Sequence, residues 1–197
     1  MQYTRSLQVL VYITTPHNIS KIIKQVLFIL NMDTEIILKI EEKIGHTFVN
    51  KKFLESALTT NAYLKEHEKE IGPEKEITHY KRLEPLGDSV LDLVVTLELS
   101  KTKGRLNGMS KVTTKDRYVK EKDLEIIAKR MELNNFLIMG KGEIKKEIKN
   151  NKKVCDALVE ALIAAVYLDS IDPEGKVDMI KVRKVIVENL GIFNEDE

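Results

Sequence analysis

The stretch RLEPLGDSVLDLVVTLEL, residues 82–99, decides the fold of this chain, because it combines a helical apolar pattern with paired acids. Its apolar residues recur every three or four positions, which predicts a helix with one face in the core. The same stretch carries Pro85, Gly87 and two acids, Glu84 and Asp88, four residues apart. Because residues four apart share one face of a helix, both carboxylates are expected to point the same way.

The composition of the whole chain also favours helices. The 197 residues contain long runs of Lys, Glu, Ile and Leu but only 9 Gly and 4 Pro, and few segments alternate apolar and polar residues as a half-buried strand does. Apolar residues make up 43% and charged residues 32%, which is typical of a globular protein. We therefore expect an all-α fold, with one helix over residues 50–64 and the last over about 177–190.

Three parts are expected along the chain. Residues 1–35 form an N-terminal helical arm or extension, residues 36–190 form the main domain, and residues 191–197 form a tail. Asp33 and Thr34 mark the first boundary, since either can cap the helix that follows. Residues 1–32 contain no Asp or Glu, which is also a feature of organelle transit peptides.

Cysteine content and hydropathy bear on where the protein works. Cys155 is the single cysteine, so no internal disulfide can form, and we expect an intracellular compartment, the cytoplasm or nucleus. An organelle is the alternative that the acid-poor start of the chain supports. No apolar run approaches the ~20 residues that a membrane span requires, so no membrane partner is expected.

A second pair of acids repeats the spacing of the first. Asp156 and Glu160 lie in CDALVEALIAAVYLDS, residues 155–170, where the surrounding positions are mostly apolar. If this helix crosses the first one, four carboxylates meet, and they then need a cation or a shared proton. Oxygen ligands suit Mg²⁺ or Mn²⁺, which activate water in phosphodiester hydrolysis. Acids four residues apart are also common on exposed helix faces. The spacing alone therefore leaves open whether these acids form a metal site or an ordinary exposed surface.

Positive charge is clustered although the net charge is only +1. Residues 141–153 contain six Lys against two Glu, and residues 101–130 contain ten basic residues against four acids. Lys145, Lys146 and Lys149 are candidate contacts for nucleic-acid phosphates. A lysine-rich surface that contacts only solvent is the alternative interpretation, and the sequence favours neither.

Five segments resemble the ribonuclease III family and follow its order, from about residue 36 to residue 190. The family hallmark H-N-E-R-L-E-F-L-G-D-S-V-L is similar to HYKRLEPLGDSVL here, and its block A-D-x-x-E-A-L-I-G-A-x-Y-L-D is similar to CDALVEALIAAVYLDS. IEEKIGHTFVNKKFLESALTTNAY, MGKGE and NGMSKV resemble the family's opening, its G-x-G-E turn and its E-G-x-L-S-x-L segment.

The resemblance implies a ribonuclease III endonuclease-domain-like helical bundle that is the catalytic domain of this chain. It implies Mg²⁺-dependent cleavage of double-stranded RNA by a homodimer, with Mn²⁺ as a possible substitute, and 5′-phosphate and 3′-hydroxyl products, as in Dicer-like processing of small RNAs. Glu84, Asp88 and Glu160 match family metal ligands, and we expect Asp156 to act as the fourth. A separate double-stranded-RNA-binding domain is not expected, since fewer than thirty residues follow Asp169.

Several positions depart from the family pattern. Asp156 lies four residues before Glu160 instead of three, so that Ala157 occupies the usual acid position. Pro85 replaces the Phe that helps to lock the family dimer. The remaining departures are Lys81 for Glu, Thr60 for His, and Leu106 and Asn107 where an acid is usual.

Pro85 fits most easily if its helix begins near Glu84, because the proline then lies in the first turn, where no backbone N–H is needed. A helix that starts at His79 would contain the proline in its interior, at a cost of ~3 kcal/mol.

These departures support an alternative function. A non-catalytic ribonuclease III-fold component that binds RNA or protein, such as an organelle ribosomal protein, would tolerate the loss of family acids. The retained acids Glu84, Asp88 and Glu160 favour the enzyme, since a protein released from catalysis has no reason to keep carboxylates in apolar surroundings.

Overall fold

The computed structural model describes residues 34–71, 76–101 and 121–192. The arm predicted for residues 1–35 therefore lies almost wholly outside the described residues, as do Leu106, Asn107 and most of the tail. The helices are α1 (Thr34–Ile44), α2 (Lys51–Leu58), α3 (Asn61–Glu66), α4 (Glu68–Ile71), α5 (Tyr80–Lys101), α6 (Glu121–Arg130), α7 (Lys141–Lys145), α8 (Lys152–Asp169) and α9 (Met179–Lys184). Short 3-10 helices cover Leu133–Phe136 and Ile148–Asn150, and a π-helical turn, Val185–Asn189, continues α9.

The predicted all-α fold is confirmed. Within the described residues the strand-like pairing consists of two isolated bridges, Thr59 with Ile138 and Ile171 with Val177. The predicted stop of α1 is also confirmed, because Gly45 follows Ile44 with a φ of 63°, a conformation that glycine adopts without strain. No helix in the described ranges is both long and apolar enough to cross a membrane.

Helix α8 is the centre of the domain. Its residues Cys155–Val159 and Ala161–Val166 are all buried, so the helix is covered on every side. It packs most extensively against α5, and then against α6 and α2. A helix that is apolar all round must be enclosed in this way, and its burial is the main hydrophobic contribution to the fold.

Gly87 allows α5 and α8 to touch through their backbones. A Cβ atom added at Gly87 would lie 1.7 Å from the carbonyl oxygen of Glu160 and 2.4 Å from its carbonyl carbon. Real Cβ atoms essentially never come within 3.0 Å of a heavy atom from another part of the chain. The position therefore excludes every other residue, and the glycine in the middle of α5 is explained by this crossing.

Pro85 is accommodated differently from the prediction. Helix α5 begins at Tyr80, whose N–H donates to the carbonyl of Thr59 at 2.9 Å, so a start near Glu84 is wrong. Pro85 lies inside the helix but on its exposed side. Water can therefore reach the backbone carbonyl that the proline ring leaves without a helical donor.

The helix predicted over residues 50–64 is two helices, α2 and α3. The chain breaks at Thr59 and Thr60, where Ile138 donates its N–H to Leu58 at 2.8 Å and accepts one from Thr60 at 3.0 Å. The Thr60 hydroxyl then caps α3 by accepting the N–H of Tyr63. A pairing partner so distant in sequence gives no local signal, which is why the periodic pattern concealed the break.

Buried carboxylates anchor the loop between α1 and α2. Asp169, at the end of α8, accepts the N–H groups of Val49 and Asn50 at 3.0 and 2.8 Å and contacts His46 Nε2 at 3.0 Å. Glu41 accepts the N–H of Phe48 at 2.7 Å and pairs with Lys51. The loop is thereby attached to the far end of the central helix.

The predicted last helix is confirmed as α9 with its π-helical continuation. Arg183 of α9 donates two hydrogen bonds to Glu98 of α5, at 2.7 and 2.8 Å. These bonds lower the pKa of Glu98 to about 2, with Lys101 contributing further. The bidentate pair joins the C-terminal half of α5 to the end of the domain.

The crossing at Gly87 yields a stability prediction. Gly87→Ala should lower the free energy of unfolding by about 3 kcal/mol or more, because the added methyl group meets backbone that cannot rotate away. Gly142→Ala is the matched control, since nothing lies within 4 Å of the corresponding Cβ in α7. That control should be neutral or stabilising by about 1 kcal/mol. Urea unfolding of the two variants measures both values, and equal stability of Gly87→Ala and the unchanged protein would contradict the crossing.

Candidate active site

The crossing of α5 and α8 determines where the predicted acids lie. Asp88 directly follows Gly87, Glu84 precedes it by one helical turn, and Glu160 is the residue whose backbone Gly87 contacts. The positions of Asp88 and Glu160, which belong to the two motifs, are therefore adjacent in space. Asp156 lies one turn earlier on α8.

The four acids differ in their exposure. The Glu84 side chain is 29% exposed, and Asp88 and Glu160 are also half-buried, whereas Asp156 is 6% exposed. The three half-buried acids are accessible to an ion or substrate arriving from solvent. Asp156 lies against the packed interior.

The side chains of these acids are not assembled into a closed metal site. Among the described residues, no group of three or more His, Cys, Asp or Glu side chains is arranged to hold an ion. Instead, Lys81 places its ammonium nitrogen 2.7 Å from Glu84 Oε2. The backbones of Gly87 and Glu160 are in contact, but the predicted ligand Glu84 is paired with Lys81 of the same helix.

Burial and charge shift the pKa values of groups at the N-terminal end of α5. Burial raises the pKa of Tyr80 to about 12, with Glu143 and Glu84 adding to the effect. Burial also lowers the pKa of His79, and the positive charges of Arg82 and Lys65 lower it further. Both rings are therefore neutral at pH 7, and they add no charge to the acids beside them.

Two further segments that resemble the family meet beside this helix end. Glu143, in the MGKGE segment, accepts a hydrogen bond from the Thr60 hydroxyl at 2.5 Å and from the Gly140 N–H at 3.0 Å. MGKGE, residues 139–143, resembles a family turn, but α7 begins inside it at Lys141 with Gly140 as its N-cap. Thr60 thus acts as a structural donor at the position where the family has His.

The lysines proposed as phosphate contacts differ from one another. Lys145 and Lys146 are exposed at the end of α7, whereas Lys149 is half-buried and donates to Asn135 Oδ1 at 3.0 Å. The structure therefore supports Lys145 and Lys146 as solvent-facing cations and gives Lys149 a structural partner. Most of the basic stretch at 101–130 lies outside the described residues.

The sequence analysis missed one acid near this site. Asp92 follows Asp88 by four residues, so Glu84, Asp88 and Asp92 form one half-buried acidic row along α5. The four-residue spacing that singled out the first two acids also applies to the third. Asp92 lies farther from the Gly87 crossing and nearer the apolar end of the helix.

This arrangement defines a class of protein: a helical domain in which two tightly crossed helices present carboxylates from two separate motifs. Residues 50–179 match the ribonuclease-III-like family. The chain is 36% identical over 138 residues to Ribonuclease 3 of Carboxydothermus hydrogenoformans, covering 70% of this chain and 57% of that protein. It is 35% identical over 156 residues to Ribonuclease 3 of Caldanaerobacter subterraneus, covering 79% and 61%.

Solved structures agree with the sequence matches. The nuclease domain of ribonuclease III from Campylobacter jejuni, described as flexible in a region involved in dimer formation, superposes with a TM-score of 0.59 and 26% identity. The match covers 77% of this chain and 94% of that one. This chain therefore belongs to the ribonuclease-III-like family. It spans a little over half the length of the curated relatives that it matches.

Proposed function

We propose that this chain is a divalent-metal-dependent endonuclease domain that cleaves double-stranded RNA. The observation that carries the proposal is the backbone contact between Gly87 and Glu160, which makes the acids of the two family-like motifs neighbours. The matched relatives bear the name Ribonuclease 3, and the family resemblance implies hydrolysis to 5′-phosphate and 3′-hydroxyl ends. Dicer-like processing of small RNAs inside the cell is the biological role that this chemistry suits.

The residues at the crossing fit a divalent ion. Glu84, Asp88 and Glu160 offer carboxylate oxygens, the donors that Mg²⁺ and Mn²⁺ prefer, and Asp156 is the candidate fourth ligand. The glycine at the crossing permits the close approach of the two helices, which supports this assignment. When bound, the ion would activate water and neutralise charge on the phosphate.

The chain's own residues contribute position and charge. Gly87 and the covered surface of α8 hold the backbones of Asp88 and Glu160 close together. Half-buried carboxylates lose part of their hydration, which strengthens their attraction for a cation. The acids thus gain more from a divalent ion here than they would on an open surface.

A specific observation also favours the non-catalytic alternative. The Lys81 ammonium on Glu84 neutralises one ligand, and Ala157 occupies the family position of another. A domain of this kind that only binds RNA or protein would keep the fold and lose cleavage. The same assay separates the two functions.

The nuclease proposal predicts that Glu160→Gln abolishes cleavage. Purified protein with Mg²⁺ should fragment long double-stranded RNA, and chelation of the metal should prevent it. Glu160→Gln should reduce the initial rate by about two to three orders of magnitude, because the amide oxygen carries no charge to attract the ion. Asp156→Asn should also lose activity if Asp156 is the fourth ligand.

Glu42→Gln is the control for this experiment, since Glu42 is an exposed acid on α1, away from the crossing. It should cleave at the unchanged rate, and thermal unfolding should show that all variants are folded. RNA binding without cleavage under Mg²⁺ and Mn²⁺ would instead support the non-catalytic function.

We also propose that the domain forms a homodimer through the exposed row on α5. Pro85, Ser89, Leu93 and Leu97 follow one another at four-residue intervals, and the two leucines are 47% and 46% exposed. Leu97 borders a groove of about 430 Å³ between α5 and α9, to which Met179 and Ile180 contribute. An apolar row of this kind suits a self-complementary interface. Pro85 replaces the usual Phe, so the leucines would supply much of the apolar contact.

Leu93→Asp with Leu97→Asp should convert the dimer to a monomer, because two buried charges would have no partners across the interface. Sedimentation equilibrium should show the molecular mass falling by half. Leu38→Asp on α1 is the control, since this leucine is 59% exposed but lies on a different helix. A double variant that keeps the mass of the unchanged protein would contradict this interface.

Lys145 and Lys146 are proposed to contact RNA phosphates. Lys145→Glu with Lys146→Glu should weaken RNA binding and reduce the dependence of log affinity on log salt by about 1 to 2, because fewer counterions are released. Fluorescence anisotropy at several salt concentrations measures both quantities. Lys176→Glu with Lys184→Glu, at two other exposed lysines, should change the slope much less. Identical salt dependence for the two double variants would show that Lys145 and Lys146 do not contact RNA.

A further inference from the structure

Lys81 places a positive charge beside one of the acids at the crossing of α5 and α8. Lys81 Nζ lies 2.7 Å from Glu84 Oε2, and the two residues are three apart on α5, so they share one face of the helix. The aromatic ring of Tyr80, centred 5.6 Å from the same nitrogen, gives the ammonium a second favourable contact. Lys81 occupies the position where the family hallmark has Glu, so this chain replaces a negative charge with a positive one.

This ion pair and a metal ion compete for the same carboxylate. The Glu84 oxygen that accepts the ammonium is less available as a ligand, and a divalent ion beside Lys81 would be repelled by its charge. The pair is also easily broken, since Lys81 and Glu84 are 46% and 29% exposed and exposed pairs contribute little to stability. The ammonium can therefore leave Glu84 without unfolding the helix.

We propose that Lys81 is a positioning residue that competes with the metal for Glu84 and thereby sets the metal affinity of the crossing. This inference rests on the proposed metal site at Glu84, Asp88 and Glu160. In the metal-free protein Lys81 neutralises Glu84 and limits repulsion within the acidic row. When a divalent ion binds, the side chain of Lys81 moves off the carboxylate towards solvent. The consequence is weaker metal binding than the acids alone would produce.

The test is calorimetric titration of the full chain with Mn²⁺ alone, without RNA. Lys81→Gln should bind Mn²⁺ about three- to tenfold more tightly than the unchanged protein, because the competing ammonium is removed. Lys39→Gln removes the same charge from another exposed helical pair, with Glu35, and should leave the affinity unchanged. Thermal unfolding confirms that the variants remain folded.

A double-mutant cycle shows whether Lys81 acts through Glu84. In a Glu84→Gln background, Lys81→Gln should no longer tighten Mn²⁺ binding, whereas a general effect of net charge would persist. Equal Mn²⁺ affinity of Lys81→Gln and the unchanged protein, with binding still weakened in Glu160→Gln, would overturn the competition and leave the nuclease proposal standing. Absence of Mn²⁺ binding in the unchanged protein and in every variant would overturn both the competition by Lys81 and the proposed metal site.

Discussion

The backbone contact between Gly87 of α5 and Glu160 of α8 is the constraint on which the rest of the structure depends. It brings the two longest described helices closer than any side chain at position 87 would allow. The same contact makes neighbours of carboxylates that belong to different sequence motifs. Gly87 therefore allows both the close packing of the two helices and the proximity of the acids. This explains why a helix-weakening glycine lies in the middle of α5.

Acids in this protein have two different physical roles, and their partners distinguish them. Glu41, Glu143 and Asp169 accept backbone N–H groups and hold segments between helices in place. Glu84, Asp88 and Glu160 instead lie half-buried around the crossing of α5 and α8. The first three carboxylates hold backbone amides, whereas the second three are accessible at a crossing where two family-like motifs meet. This difference makes the crossing a candidate for chemistry and the amide-bound acids part of the scaffold.

Contacts away from the crossing fix the helices that carry these acids. Helix α8 is buried along most of its length, α5 is joined to α9 through Glu98 and Arg183, and the first amide of α5 is satisfied by Thr59. These attachments fix the two acid-bearing backbones independently of the acids themselves. The surrounding contacts therefore determine the geometry of the crossing.

The sequence by itself determined the helical class, the family and the glycine stop after α1, because periodicity and motif order are local properties of a chain, and it proposed the acids Glu84, Asp88, Asp156 and Glu160. Only the tertiary structure decided where α5 begins and why the helix predicted over residues 50–64 breaks at Thr59 and Thr60. Tyr80 and Ile138 find their partners through packing between segments that are distant in sequence. Such partners carry no periodic signal, so the spacing of residues cannot reveal them.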